Sequence, residues 1–145
     1  MILADENQLD DLTRKLMRIG LDNILGYVPS TNQFTENGGT LDTVPVISVD
    51  EFKSILKEPN IQVVDLRNST EFRSGHVQGA EHVFIGTLPN NLDKVSKDKK
   101  VVIHCQSGDR ATIGYSLLAK AGFKNVLNYS GSMNEWIALG NPVVS

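Results

Sequence analysis

Short apolar runs alternate with longer amphipathic stretches from Val44 to the end of the chain. Five of the runs have the length and the apolar content of short buried strands, at residues 45–47, 61–64, 81–83, 101–103 and 125–127. The segments between most of them have the features of helices. Alternation of this kind is typical of a parallel sheet that helices cover on both faces. The pattern therefore predicts an α/β fold for residues 44–145.

Two segments carry clear signals for where a helix begins or ends. Ser48 with Glu51 three residues later is a capping-box pattern, which favours a helix start after Ser48. Residues 111–121 predict a second helix, and Gly122 can end it. One side of this helix carries the apolar residues Ile113, Leu117, Leu118 and Ala121.

The first 43 residues follow a different pattern. Residues 1–20 predict an amphipathic helix, with acidic residues early, basic residues late, and apolar residues at Leu9, Leu12, Leu16 and Ile19. Periodicity is lost over residues 21–43, and the polar, turn-rich stretch 30–39 predicts a linker. We therefore divide the chain into an N-terminal helix and linker, residues 1–43, and an α/β domain, residues 44–145.

Composition narrows the classes of function. A formal net charge of −3 in 145 residues argues against nucleic acid or a membrane as a general partner. No apolar run reaches transmembrane length, and the N-terminus lacks a signal-peptide pattern. The single cysteine cannot form an internal disulfide, so we expect a cytoplasmic protein. One cysteine and three separated histidines give no zinc-ligand spacing, so we expect no metal and no cofactor.

The single cysteine occupies a position that favours reactivity. Cys105 follows the strand at 101–103 and precedes the helix at 111–121, so it faces the positive end of that helix and its free N–H groups. Gly108 allows the loop to turn back, and Arg110 adds a permanent positive charge. Such surroundings favour the thiolate, which is the nucleophilic form of cysteine.

Two motifs give the chain a family resemblance. The loop Cys105-Gln106-Ser107-Gly108-Asp109-Arg110 resembles the Cys-x-x-Gly-x-Arg active-site loop of single-domain rhodanese sulfurtransferases. The stretch Val63-Val64-Asp65-Leu66-Arg67, followed by Glu71-Phe72 and by Gly75-His76-Val77-Gln78-Gly79-Ala80, is similar to the first signature of the same family. The resemblance covers residues 44–140. It implies a rhodanese-like fold, with five mostly parallel strands flanked by helices on both faces.

The resemblance also implies an activity. Cys105 would take a sulfane sulfur from thiosulfate or from a low-molecular-weight persulfide, and would pass it to a thiol or to cyanide. The remaining residues of the loop would bind the donor and the persulfide: Gln106, Ser107, Gly108, Asp109 and Arg110. Asp109 places a negative charge in this loop, so we expect a dianion such as thiosulfate to be disfavoured.

Other polar residues are predicted to support the site rather than to react. Asp65 follows a strand, as Cys105 does, and ligand sites in parallel sheets lie beyond the carboxyl ends of strands. We expect Asp65 to accept N–H bonds from the Cys105 loop, and Arg67 to anchor a loop or to contact substrate. Adjacent residues of a strand point to opposite faces, so we expect the His104 side chain to point away from that of Cys105.

The chain departs from the family pattern at two places and resembles a second family near its N-terminus. Gly131-Ser132 stands where the family has Gly-Gly before a tryptophan, and Phe84 stands where many members have proline. Residues 18–27 resemble the tail of metallo-β-lactamase-fold proteins, persulfide dioxygenases among them, just before a fused rhodanese domain. The metal-binding His-x-His-x-Asp-His motif of those proteins is absent from this sequence. That resemblance implies a C-terminal piece or a separated relative, with a dioxygenase domain as partner in cis or in trans.

Alternatives remain open from the sequence. Phosphatases and arsenate reductases on the same scaffold, resembling Cdc25 enzymes, have five residues between cysteine and arginine, whereas four separate Cys105 from Arg110 here. A non-catalytic interaction module is the other alternative, although inactive relatives usually lose the cysteine. Residues 1–20 could equally form a helix that packs on its own domain.

Overall fold

The computed structural model describes residues 6–18 and 20–145. The chain divides into two compact units, Met1–Thr43 and Val44–Ser145. Residues 1–5 and Ile19, which belong to the helix predicted over residues 1–20, lie outside the described residues. Within the described part of the chain, no helix has both the length and the apolar character needed to cross a membrane.

Among its described residues, the first unit contains two α-helices. A 3₁₀ turn at Glu6–Gln8 leads into α1, Leu9–Arg18, and α2 follows at Thr31–Glu36. The stretch 30–39, which we predicted as a linker from its composition, contains α2. The Ser30 hydroxyl accepts the Gln33 N–H at 3.1 Å and so caps this six-residue helix. The helix buries none of its side chains, which explains why apolar periodicity did not reveal it.

The second unit is a five-stranded parallel sheet with helices on both faces, as predicted. Its strands are β1 Val46–Ile47, β2 Ile61–Asp65, β3 Ala80–His82, β4 Lys100–His104 and β5 Val126–Tyr129. Its α-helices are α3 Val49–Ile55, α4 Ser69–Ser74, α5 Asp109–Lys120 and α6 Ser132–Ala138, and 3₁₀ turns lie at Ile85–Asn90 and Leu92–Lys94. The strand order is β1-β5-β4-β2-β3, and every pairing in the sheet is parallel.

Some strand boundaries differ from the prediction. Strand β5 continues to Tyr129, two residues beyond the predicted end. The prediction stopped early because Asn128 is polar, although its side chain is buried. Its N–H donates to the Pro45 carbonyl at 2.8 Å, which carries the ladder to β1. The polar side chain interrupts the apolar run in the sequence but leaves the backbone pairing intact.

The sheet separates two hydrophobic clusters. Residues of β4 alternate between them, because Val101 and Ile103 face the cluster under α5 and Val102 faces the cluster under α3 and α6. Trp136 of α6 lies in the second cluster with only 4% of its surface exposed. Trp136 therefore packs α6 against this face of the sheet.

Helix α5 turns a different side to the sheet from the one that we predicted. Ile113 is 57% exposed, so its place on the apolar side was wrong. A Cβ added at Gly114 would lie 2.4 Å from Leu66 Cδ1, which shows how closely α5 approaches the loop after β2. The helix is oriented by this close approach, and its fully buried residues are Ala111, Gly114 and Leu118.

The carboxyl ends of β2 and β4 meet at one edge of the sheet. Asp65, the last residue of β2, is in register with His104, the last residue of β4. Cys105 follows directly, and the loop 105–108 joins β4 to α5. This edge is where parallel sheets bind their ligands.

Candidate active site

Cys105 is enclosed by the loop that follows it and by the start of α6. The cysteine is fully buried, and its Sγ accepts the Gly108 N–H at 3.2 Å. The Cys105 N–H donates to the Ser132 hydroxyl at 3.1 Å, and the Cys105 carbonyl accepts the Met133 N–H at 3.1 Å. Contacts from both directions therefore fix the backbone and the sulfur of the predicted nucleophile.

Gly108 is required by the geometry of the loop. Its φ of +100° lies in the region that side chains disfavour. A Cβ at this position would also lie 2.5 Å from the Ser130 carbonyl oxygen, which is backbone and cannot move aside cheaply. Both features allow the Gly108 N–H to point at the sulfur of Cys105.

The rest of the loop presents unused backbone donors. In the part of the chain that the structure describes, four N–H groups of the loop and of the first turn of α5 make no hydrogen bond. They belong to Gln106, Ser107, Asp109 and Arg110. Free N–H groups at a helix start attract negative charge, so the loop can stabilise an anion close to Cys105.

Gln106 is held by two other elements. Its side-chain carbonyl accepts from Arg67 Nη1 at 3.2 Å, and its Nε2 donates to the Asn134 side chain at 2.6 Å. Its backbone carbonyl accepts the Asn134 N–H at 3.0 Å. Gln106 thereby connects the Cys105 loop to the end of β2 and to α6.

Asp65 and Arg67 form a buried ion pair beneath this connection. Arg67 Nη2 lies 2.7 Å from Asp65 Oδ2, and the two side chains are 3% and 0% exposed. The Arg67 backbone N–H and Nε also donate to the Asp65 carboxylate, each at 3.0 Å. The N–H bonds that we expected Asp65 to accept from the Cys105 loop come from Arg67 instead. Arg67, through Gln106, is the residue that reaches the loop.

Arg110 is paired with Glu71, the N3 residue of α4. Its two terminal nitrogens donate to the two carboxylate oxygens at 2.8 and 2.7 Å. These hydrogen bonds lower the pKa of Glu71 from an ordinary 4.5 to about 2, and they raise the pKa of Arg110 further above its ordinary value. We predicted that Arg110 contacts the charged group of a donor. That contact stays a prediction. The structure shows Arg110 bonded to Glu71, and it lies close enough to Cys105 for the cysteine to raise its pKa as well.

The Glu71 pair gives an expected pH dependence of stability. The folded-state pKa of Glu71 is depressed, so its contribution is complete above about pH 4.5 and is lost as the pH falls towards 2. Glu71→Gln should therefore lower the free energy of unfolding at pH 7 by about 1 kcal/mol, since the pair is partly exposed. The difference between wild type and variant should close at pH 2, as measured by urea denaturation across this range.

The matched control for this prediction is Glu51→Gln. Glu51 takes the same part in the capping box of α3 as Glu71 takes in that of α4, but its carboxylate accepts from Ser48 and is not paired with an arginine. A pH dependence as large in the Glu51 variant as in the Glu71 variant would show that capping, and not Arg110, is responsible.

Ser107 and Asp109 lie on the outside of the loop. Both are exposed, and the Ser107 hydroxyl donates to Asp109 Oδ2 at 2.9 Å. Asp109 is the first residue of α5, where a carboxylate is favoured by the positive end of the helix. The structure thus places the predicted negative charge at the outer surface of the loop.

His104 points away from the thiol, as predicted. The centre of its ring lies 6.2 Å from that of Phe52. Phe52 belongs to the hydrophobic cluster on the other side of the sheet from Cys105. Burial lowers the pKa of His104, so the ring is neutral and its 3.9 Å approach to Asp65 is not an ion pair. His104 therefore cannot act as a base toward Cys105.

Sequence reasoning missed Ser132 and Asn134, and it named Glu71 only as part of a family motif. Ser132 has a φ of +55°, a conformation that costs a residue other than glycine about 1 kcal/mol or more. The signal was the serine in place of the second glycine before Trp136. Asn68 and Glu71 form the capping box of α4, and this local pattern could not show that Arg110 reaches Glu71.

Among the described residues, no group of three or more His, Cys, Asp or Glu side chains is arranged to hold a metal ion. The chemistry that the site offers is that of one thiol with backbone donors around it and an ion pair beside it.

Comparison with known proteins shows the family and the fold of this chain. A family model described as rhodanese-like domain matches residues 48–139, which is more than half of the chain. The chain belongs to the rhodanese-like domain family. The matched residues include the complete sheet edge with Asp65, Arg67 and the Cys105 loop.

Individual relatives resemble the rhodanese-like domain at low identity. The putative sulfur carrier protein YrkF of Bacillus subtilis is 26% identical over 95 residues, which are 65% of this chain and 51% of that protein. The thiosulfate sulfurtransferase GlpE of Tolumonas auensis is 27% identical over 90 residues, which are 62% of this chain and 85% of that protein. This chain therefore spans only about half the length of YrkF.

Solved structures give the same fold. The crystal structure of a rhodanese-related protein from Thermoplasma volcanium superposes with a TM-score of 0.64 at 25% identity. The superposition covers 69% of this chain and 97% of that one. The rhodanese-like fold is thus shown both by the sequence family and by the structural comparison.

Proposed function

We propose that this protein is a sulfurtransferase that carries a sulfane sulfur on Cys105. The observation that carries the proposal is the set of N–H groups around the sulfur, of which Gly108 already donates to Sγ at 3.2 Å. Four more donors in the same loop have no partner within the described residues. A relative named as a thiosulfate sulfurtransferase supports the assignment.

The reaction has two half-steps that balance. The Cys105 thiolate attacks the outer sulfur of the donor, a new S–S bond forms at Sγ, and the donor's own sulfur bond breaks to release sulfite or a thiolate. An acceptor thiolate or cyanide then attacks the outer sulfur of the Cys105 persulfide. The S–S bond to Sγ breaks, and the Cys105 thiolate is restored.

The backbone donors fit the charge that these steps move. In the persulfide, the negative charge lies on the outer sulfur, one S–S bond of about 2 Å from Sγ. The unpaired N–H groups of the loop can donate hydrogen bonds to this sulfur. A thiolate that is already formed needs no side chain as a base. Preorganised donors of this kind stabilise developing negative charge in water-poor sites.

We propose a low-molecular-weight thiol persulfide, rather than thiosulfate, as the preferred donor. Asp109 adds a negative charge at the outer surface of the loop, and the charge of Arg110 is balanced by Glu71 at 2.7 Å. These side chains therefore have no net positive charge that would attract a dianion. A donor with fewer negative charges meets less repulsion.

A partner that uses the same persulfide is proposed from the chain's N-terminal segment. Residues 18–27 resemble the tail that precedes fused rhodanese domains in metallo-β-lactamase-fold proteins. We propose a persulfide dioxygenase domain as partner, in cis or in trans, which would share the persulfide pool with Cys105.

Mass spectrometry of the intact protein tests the assignment directly. Because Cys105 is the only cysteine, a persulfide on a cysteine can form nowhere else. After incubation with glutathione persulfide and removal of excess donor, we expect a gain of one sulfur atom, and we expect the gain to disappear after addition of a thiol. Thiosulfate at the same concentration should load the protein at least about fivefold more slowly, which corresponds to about 1 kcal/mol of repulsion.

The control is Cys105→Ser under the same conditions, which should gain no sulfur. A protein that gains sulfur from neither donor would favour a non-catalytic module. Equal loading rates from the two donors would leave the sulfurtransferase in place and would contradict the assignment of the donor.

A further inference from the structure

We propose that Ser132 is a positioning residue for Cys105, and that its hydroxyl favours the thiolate over the thiol. The proposal concerns a residue at the start of α6, 27 positions along the chain from the cysteine. It rests on the proposed function only in taking Cys105 as the reacting residue.

The Ser132 hydroxyl joins three groups at the site. It accepts the Cys105 N–H at 3.1 Å, it donates to the Tyr129 carbonyl at 2.9 Å, and its oxygen lies 3.9 Å from Cys105 Sγ. The side chain is fully buried, so water does not compete for these contacts. One hydroxyl thus ties the backbone of the cysteine to the end of β5 and lies beside the sulfur.

The hydrogen-bonding capacity of a hydroxyl explains why it can act on the sulfur. A serine has one hydrogen to donate and two lone pairs that accept, and the hydrogen can rotate about the Cβ–Oγ bond. While the hydrogen serves Tyr129, a lone pair takes the Cys105 N–H. When Cys105 loses its proton, the same hydrogen can turn to the sulfur. A hydrogen bond to a charged acceptor is stronger than a hydrogen bond to a neutral carbonyl.

The backbone of Ser132 provides a separate observation. Its φ of +55° lies where glycine is favoured, so the position keeps a side chain at a conformational cost. Ser132 is one of two residues other than glycine with positive φ that the structure describes, and the other, Asn60, lies in the turn before β2. At Ser132 the unfavourable backbone conformation holds a buried hydroxyl whose hydrogen bonds go to Cys105 and to Tyr129 of β5.

Two substitutions separate the hydroxyl from the backbone effect. Ser132→Gly removes the hydroxyl and also removes the conformational cost of the positive φ. Ser132→Ala removes the hydroxyl but keeps a Cβ, and with it the conformational cost. The rate of iodoacetamide alkylation of Cys105 is followed from pH 5 to pH 10 for wild type and both variants. We expect the midpoint of the rate against pH to rise by roughly half a pH unit or more in both variants, which corresponds to about threefold less thiolate at neutral pH.

Alkylation keeps this test independent of sulfur transfer, because it reports on the thiolate even if the protein transfers no sulfur. Ser116→Ala is the control, since the Ser116 hydroxyl is exposed and donates to the Thr112 carbonyl of α5. A Ser132→Gly protein with the wild-type pH profile would overturn the proposal, even if Ser132→Ala is too unstable to assay. A shift in the alanine variant alone would assign the effect to the backbone and would overturn it as well.

Discussion

Cys105→Ser is expected to lose sulfur-transfer turnover by at least about a thousandfold while the fold is kept. The serine hydroxyl stays protonated at neutral pH, and its oxygen cannot form the S–S bond that stores the transferred sulfur. The fold should survive because the smaller hydroxyl can accept the Gly108 N–H that Sγ accepts at 3.2 Å. Release of sulfite or thiol from the donor measures turnover, and thermal unfolding measures the fold.

Cys105→Ala is the companion variant for this prediction. It should be as inactive as the serine variant but less stable, because the Gly108 N–H loses its acceptor in a buried place. Turnover that persists in either variant would contradict the mechanism. Equal stability of the two variants would show that the Gly108 bond contributes little to the fold.

Asp65→Asn is expected to lower the free energy of unfolding by about 3–5 kcal/mol. The substitution is nearly isosteric, but it leaves the Arg67 guanidinium, 3% exposed, without its counter-charge. The loss is large beside the total stability of a small domain, about 5–15 kcal/mol. Guanidinium chloride denaturation at pH 7 provides the measurement.

Two comparisons give this prediction its control. Glu58→Gln breaks the ion pair with Lys100 at the surface, and it should cost less than about 1 kcal/mol because solvent screens that pair. The double variant Asp65→Asn with Arg67→Met should be more stable than Asp65→Asn alone, since no unpaired charge remains buried. A cost for Asp65→Asn as small as that for Glu58→Gln would show that water reaches the Arg67 pair.

The sheet could be predicted from the sequence because its signals are local. The apolar run 101–103 indicates a strand, and the capping box at Ser48 indicates a helix start, without reference to the rest of the chain. The alternation of strands with helices then limits the topology to a parallel sheet, and parallel strands bring Asp65 and Cys105 to one edge. The polar helix α2 and the polar end of β5 were missed because they lack an apolar pattern.

The partners within the site could not be predicted, since they depend on contacts between distant segments. Nothing in the sequence says that Arg67 is bound by Asp65 and Gln106, or that Glu71 accepts from Arg110 across 39 positions. The orientation of α5 was misjudged for the same reason, because the contact of Gly114 with Leu66 decides which side is buried. Residue types indicated which groups lie at the edge, and only packing shows how they pair.

The carboxylate of Glu71 belongs to a local contact and to a distant one, and this has a consequence for the order of folding. The same oxygen that accepts from Arg110 also accepts the Asn68 N–H at 3.0 Å, only three residues away. Contacts over a few residues close within nanoseconds to microseconds, whereas contacts between distant segments await loop closure. The turn at the start of α4 can therefore orient the carboxylate before the Cys105 loop arrives. Arg110 then docks on an acceptor that is already in place, so a short-range signal in the sequence helps to assemble a long-range site.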